Sequence, residues 1–110
     1  MESKEHEQGV AAAEKYIKEQ GFKVKELINV GDHCPDVYAV KDLGNDTVQK
    51  AIIEVETSDS LSDDQSKEQM IDFATWGKQY TARRVILFIP KGIKDEAKKE
   101  LPSYKEYIEF

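Results

Sequence analysis

Hydrophobic residues follow two kinds of spacing along the chain, which indicates that helices and strands alternate. Apolar residues recur every three or four positions in the segments expected to be helical, and they alternate or run together in the segments expected to be strands. The predicted helices cover 4–20, 62–80 and 95–101, and the predicted strands cover 22–30, 35–40, 48–56, 84–89 and, at one edge, 107–110. The order αβββαβ, followed by αβ, predicts an α/β fold.

Turn-forming residues between these segments predict how the strands connect. Gly31-Asp32-His33 separates the first two strands, and the turn residues at 43–46 predict a hairpin between the second and the third. The first three strands should therefore form an antiparallel meander. The helix at 62–80 has Ser62 as its expected N-cap, and it should carry the chain across to a fourth strand parallel to the third. Its expected apolar face comprises Met70, Phe73, Gly77 and Tyr80.

Length and composition fit one domain spanning residues 1–110. The chain is 39% hydrophobic and 35% charged, and no apolar run approaches the roughly 18 residues that cross a bilayer. The polar start MESKEHEQ lacks the apolar region of a signal peptide, so we expect a cytoplasmic protein without a membrane partner. Cys34 is the only cysteine, which excludes an internal disulfide and a multi-cysteine zinc site. The net charge of −6 opposes tight nonspecific binding to nucleic acid, although it allows a local basic patch.

Three acidic residues near two strand ends form the main candidate site. Glu54 and Glu56 are two positions apart in one predicted strand, so their side chains should share a face of the sheet. If Asp36 on the neighbouring strand pairs near Glu54, three carboxylates converge. Mutual repulsion would then favour a divalent cation, and carboxylate oxygens suit Mg²⁺ or Mn²⁺. A solvated sheet face is the alternative.

The element order, with Pro35-Asp36 opening the second strand and Glu54-Val55-Glu56 closing the third, resembles the PD-(D/E)xK nuclease superfamily. In layout it looks closest to the archaeal Holliday-junction resolvases, and the resemblance extends from Gly21-Phe22 to Pro90. It implies a restriction-endonuclease-like αβββαβ core with a mixed sheet flanked by helices. It also implies that Asp36 and Glu54 hold Mg²⁺ for the hydrolysis of DNA phosphodiester bonds.

The third position of the motif departs from that family, because Glu56 stands where lysine is usual. A glutamate cannot supply positive charge to a phosphate, but it can add a metal ligand or act as a base toward water. Lys67, on the following helix, is the first candidate for the missing cation.

Other residues have candidate roles, Glu7 and the two glutamines through the same resemblance, and the two arginines because they are the densest basic group after the site. Glu7 on the first helix is a candidate metal ligand, by analogy with an acid that completes the resolvase site. The candidates for substrate contact are Gln65, Gln69, Arg83 and Arg84. For each of these, ordinary surface solvation is the alternative. His6 is weighed as a phosphate or metal contact against a plain surface histidine.

Two classes of function follow. The first is a Mg²⁺- or Mn²⁺-dependent nuclease acting on branched or single-stranded DNA. A homodimer is one arrangement for it, because one small domain offers little surface to a duplex. The second is a catalytically silent descendant of the fold that binds nucleic acid or a protein partner. Glu56 and the overall acidity favour the second, whereas the Asp36–Glu54 pair favours the first.

Overall fold

A five-stranded mixed sheet with helices on both faces organises the chain in a computed structural model, which describes residues 3–110. Helices α1, α2 and α3 comprise Lys4–Glu19, Asp64–Lys78 and Lys94–Glu100, and strands β1 to β5 comprise Lys23–Lys25, Val37–Gly44, Thr47–Val55, Arg83–Ile89 and Glu106–Glu109. The strands lie in the order β1-β2-β3-β4-β5. β1, β2 and β3 pair antiparallel, whereas β4 is parallel to β3 and β5 is parallel to β4. The predicted α/β class, the antiparallel meander and the parallel crossover are confirmed.

One face of the sheet, here called the α1 side, packs against α1. Alternate residues of β2 and β3 supply this core, including Val37, Ile53 and Val55, and α1 covers them with Ala13 and Ile17. The helix approaches the sheet closely at Gly9 because that residue has no side chain. A Cβ atom placed at Gly9 would overlap Val55 Cγ1 and would lie 2.8 Å from two carbons of the Phe110 ring.

Gly9→Ala should destabilise the protein, although the same change in an open helix normally stabilises it. Alanine has the better helix propensity by about 1 kcal/mol, but the new methyl group would meet Val55 and the Phe110 ring. We expect the free energy of unfolding in urea to fall by about 1–3 kcal/mol. Gln8→Ala, at the exposed neighbouring position, is the matched control and should change little. A more stable Gly9→Ala variant would contradict the close packing.

The opposite face, here called the α2 side, packs against α2 and α3. Its buried residues include Ile52 and Leu87 from the sheet and Met70 and Phe73 from α2, as the apolar spacing predicted. α2 begins one residue later than expected, because Asp63 and not Ser62 is its N-cap. It ends at Lys78, which leaves Tyr80 outside the helix. Tyr80 is 65% exposed, so its expected place on the buried face was wrong.

The first predicted strand, 22–30, is much shorter in the structure. β1 ends at Lys25, after Phe22 and Val24 have packed on the α1 side. The chain then leaves the sheet, and Val30 is buried in the core on the α2 side. A short bridge between Val30 and His33 closes the turn predicted at this place. The change from one face to the other explains the break in alternation within this segment.

The hairpin between β2 and β3 turns through Asn45 and Asp46, which both have positive φ angles of 54° and 61°. Two consecutive residues in this conformation make the tight turn that matches the twist of antiparallel strands. The turn lengthens β2 to Gly44, beyond the predicted end at residue 40.

Within residues 3–110, no helix combines the length and the apolar character that crossing a bilayer requires.

Candidate functional site

The register of the β2–β3 hairpin brings Asp36 next to Glu54. Val37 lies opposite Ile53 in the ladder, so continuing the register by one residue places Asp36 opposite Glu54. Both side chains point to the α2 side, because Val37 and Ile53 belong to the core on the α1 side. Asp36 Oδ2 also accepts a hydrogen bond of 2.7 Å from the backbone N–H of Val55, which fixes the carboxylate at the end of β3.

Glu56 follows β3 directly and is held by two serine hydroxyls. Its Oε2 accepts hydrogen bonds from Ser60, on the loop after β3, and from Ser66 in the first turn of α2, the latter at 3.1 Å. Glu54 and Glu56 are only 5% and 4% exposed, which is unusual for carboxylates. The serines compensate Glu56 for its burial and give its carboxylate a defined position.

An open cleft of about 690 Å³ borders these carboxylates at the edge of the sheet where β3 ends. The cleft lies between the start of α1, the loop after β3 and the start of α2. Its lining residues are Ser3, His6, Cys34, Asp36, Glu54, Val55, Glu56, Thr57, Asp59, Ser60, Asp63, Gln65, Ser66 and Gln69. Five of them are carboxylic acids, and none of these lining residues is lysine or arginine. The cleft is therefore suited to cations.

His6 is the one residue of this lining that can carry positive charge in its side chain. Its Nε2 lies 3.2 Å from Asp36 Oδ1. The N-terminal turn of α1, capped by the Ser3 hydroxyl, projects the ring into the cleft. The reading of His6 as a plain surface histidine was wrong about its place, since the ring contacts the candidate site.

The electrostatics of Glu54 and Glu56 differ from those of exposed carboxylates. Burial raises the pKa of Glu54 well above its ordinary value, and a hydrogen bond with Asp36 and the charges of Asp36 and Glu56 raise it further. Burial also raises the pKa of Glu56, against the opposing effect of the hydrogen bonds from Ser60 and Ser66. The raised pKa of Glu54 thus favours its protonated form.

The raised pKa of Glu54 predicts how stability responds to pH in metal-free buffer. The pKa of Glu54 is higher in the folded than in the unfolded protein. Its contribution to folding stability is therefore complete in acid, and it is lost as pH rises through the folded-state pKa. Glu54→Gln keeps the hydrogen bond to Asp36 through its amide and removes this loss. At neutral pH we expect the variant to be more stable by about 1–3 kcal/mol, the usual cost of a poorly compensated buried polar group.

Urea unfolding at acidic and at neutral pH, with a chelator present, measures this effect. The difference between Glu54→Gln and the original protein should grow as pH rises, because groups common to both proteins cancel. Asp95→Asn, an exposed carboxylate change on α3, is the control and should show no such trend. If the difference shrinks towards neutral pH, the ionised form of Glu54 does not destabilise the fold.

The structure brings only some of the predicted site residues to the cleft. Gln65 and Gln69 line it, together with the three acids. Glu7 is exposed on α1 and does not line it. Lys67 is not there either, since its Nζ lies 3.8 Å from Glu100 Oε2 on α3. One residue of helix turns the side chain by about 100°, so Ser66 faces the cleft and Lys67 faces α3.

The two arginines lie at the other end of the sheet. Arg83 and Arg84 begin β4, whereas the cleft borders the end of β3, to which β4 is parallel. Leu87 of β4 lies beside Glu54, and Arg83 precedes Leu87 by four residues, which is about 13 Å along the strand. Arg84 is bound by Glu106 through two hydrogen bonds, at 3.0 and 2.7 Å, which raise its pKa. Neither arginine contacts the cleft.

Asp36 and Glu54 are the two carboxylates that would hold a metal ion in this cleft. Within residues 3–110, no group of three or more Asp, Glu, His or Cys side chains is arranged as a complete metal site. Mg²⁺, however, is commonly held by one or two carboxylates and keeps several waters. Asp36 and Glu54 supply two neighbouring carboxylates, and burial, with the nearby charges of Asp36 and Glu56, raises the pKa of Glu54. The residues present fit such an ion.

Comparisons with known proteins support the fold. No family model matches the sequence, and no curated protein matches it. Among solved structures, the chain is similar to the crystal structure of a repair endonuclease from Pyrococcus abyssi, with a TM-score of 0.55 and 19% sequence identity. The match covers 100% of this chain and 49% of that one, so the chain spans about half the length of the endonuclease. The protein therefore has a nuclease-like α/β fold.

Proposed function

We propose that the protein is a divalent-metal-dependent nuclease that hydrolyses DNA phosphodiester bonds. In this proposal Asp36 and Glu54 hold Mg²⁺ or Mn²⁺. The observation that carries it is the position of these two carboxylates side by side at the wall of an open cleft, with Glu54 buried and Asp36 half-buried. A nuclease-like fold and the position of the pair at the end of β3 support the same reading.

The other residues of the cleft have roles that follow from their chemistry. Glu56, held in place by Ser60 and Ser66, is available to take a proton from an attacking water. His6 is placed beside Asp36, where its ring can donate a hydrogen bond to a phosphate oxygen. Gln65 and Gln69 offer neutral amide donors on the first turns of α2. A bound metal ion would neutralise phosphate charge and acidify water.

A catalytically silent binding module is the second candidate, and one observation favours it. The described lining of the cleft contains no lysine or arginine, so it lacks the permanent positive charge that nuclease sites direct at the phosphate. Under this alternative the acidic cleft would bind a cationic partner group. The two candidates differ in whether a divalent ion binds and whether DNA is cut.

Calorimetry with Mn²⁺ and Mg²⁺, followed by cleavage assays on branched and single-stranded DNA, tests the proposal. We expect the metal to bind to the folded protein with release of protons, because it displaces the proton that the raised pKa of Glu54 favours. Cleavage should require the metal and should stop on chelation. Asp95→Asn, an exposed change outside the lining of the cleft, should leave both results intact. Neither binding nor cleavage would favour the silent module.

A further inference from the structure

A second groove, of about 310 Å³, lies at the end of the sheet remote from the acidic cleft. It is lined by Val48 and Lys50 of β3, by Tyr80 and Ala82 of the loop after α2, and by Arg83 of β4. Lys50 of β3 lies beside Arg83 of β4 in the ladder, and both side chains point to the α2 side of the sheet. Lys50 is four residues from Glu54, or about 13 Å along the same strand. The groove is thus on the face that carries the acidic pair.

The groove combines an exposed aromatic ring with a fixed guanidinium. Arg83 lies between two rings, with its Cζ 4.3 Å from the centroid of Trp76 and 4.7 Å from that of Tyr80. Its Nη1 donates hydrogen bonds to the Trp76 carbonyl oxygen at 3.0 Å and to Gln79 Oε1 at 2.8 Å. These contacts hold Arg83 and orient Tyr80, which remains 65% exposed.

Positive charge around the groove is not neutralised by neighbours. Across the sheet, Lys50 lies opposite Val40, and Val40 lies opposite Lys23, so Lys23, Lys50 and Arg83 form one row on the same face. Among residues 3–110, none of these three cations has a salt-bridge partner, whereas Lys67 and Arg84 do. In a chain of net charge −6, this row is a local concentration of positive charge.

We propose that this groove binds a nucleotide unit of a single-stranded nucleic acid. The base stacks on Tyr80 against the apolar walls formed by Val48 and Ala82, and Lys50 and Arg83 contact the phosphates. Aromatic rings beside a basic groove are the usual means of holding single strands without sequence preference. The inference rests on the proposed function in taking nucleic acid as the substrate, and it adds a contact remote from the cleft. An acidic protein segment would use the cations and leave the ring unused.

Fluorescence anisotropy measures the binding of a short labelled oligothymidylate. With a chelator present, this measurement tests the groove without any cleavage. Tyr80→Ala should weaken binding by about fivefold to 100-fold, because stacking of one base is lost. Lys50→Gln should weaken binding and lower the steepness of its salt dependence by about 0.7 in logarithmic slope, the value for one phosphate on a single strand. Lys15→Gln, an exposed lysine on α1, is the matched control and should match the original protein.

The outcomes separate this inference from the proposed function. Binding that is lost in Tyr80→Ala but kept in Glu54→Gln supports the groove, whether or not the protein cuts DNA. Equal binding by Tyr80→Ala and the original protein overturns the inference even if cleavage is confirmed. No binding of the oligothymidylate, or equal competition by polyglutamate, overturns it as well. A dimer that dissociates on Tyr80→Ala, with DNA binding unchanged, would assign the groove to self-association instead and overturn the inference.

Discussion

Asp36→Asn should abolish divalent-metal binding and lower metal-dependent DNA cleavage by about 10³-fold. A metal ion supplies several kcal/mol of charge stabilisation in the transition state, and each ~1.4 kcal/mol corresponds to a factor of ten in rate. The asparagine removes the ligand charge at almost the same volume. Its amide oxygen can still accept the hydrogen bond from the Val55 N–H, so the end of β3 should keep its structure.

Calorimetry with Mn²⁺ and single-turnover cleavage measure these losses, and urea unfolding checks that the fold persists. Glu54→Gln should lose metal binding and cleavage to a similar extent while it becomes more stable in metal-free buffer. A loss of activity together with a gain in stability is expected when the charge of a buried carboxylate serves function and destabilises the fold. Asp95→Asn is the control at an exposed position. Cleavage that survives in both active-site variants would place the chemistry elsewhere.

The framework of the site followed from residue parity and element order. Asp36 and Glu54 fall on one face because side chains alternate along a strand, and the turn at 45–46 fixes their register. The parallel crossover to β4 followed from the helix between the two strands. These features depend on local periodicity, which the sequence displays directly.

The remaining features of the site depend on how elements meet in three dimensions. Ser60 and Ser66 carry no sequence signal, and they reach Glu56 only because the loop after β3 folds back before α2 begins. His6 enters the cleft because α1 starts beside it. Lys67 was a reasonable candidate by distance along the chain, but one step of helical rotation turns it to Glu100.

The acidic cleft and the basic groove divide opposite charges between the two ends of the sheet. The carboxylates lie where β3 ends, and Lys50 with Arg83 lies where β4 begins. A net charge of −6 hides this separation, because the sum does not report where each sign is placed. An anionic strand would be attracted at the groove and repelled at the cleft until a cation occupies the carboxylate pair. Metal binding would then be a precondition for productive contact with DNA.

Glu56→Lys is the change that best separates the two candidate functions. In a working nuclease it removes the carboxylate that Ser60 and Ser66 hold in place, and proton transfer by such a group typically contributes 10²- to 10⁴-fold. We expect cleavage to fall by about 10²-fold in single-turnover assays. Glu56→Gln, which keeps the shape and the serine hydrogen bonds, should fall by a similar factor because it also lacks a base.

In Glu56→Lys the removal of a negative charge that raises the pKa of Glu54 offsets part of the cost of burying an ammonium at this position. Urea unfolding therefore distinguishes lost chemistry from lost structure. The opposite result has an equally definite meaning. If the original protein is inactive and the lysine variant cuts DNA, then the metal pair is intact and only the positive charge at position 56 was missing. That outcome would identify the protein as a silent binding module that retains the nuclease's metal site.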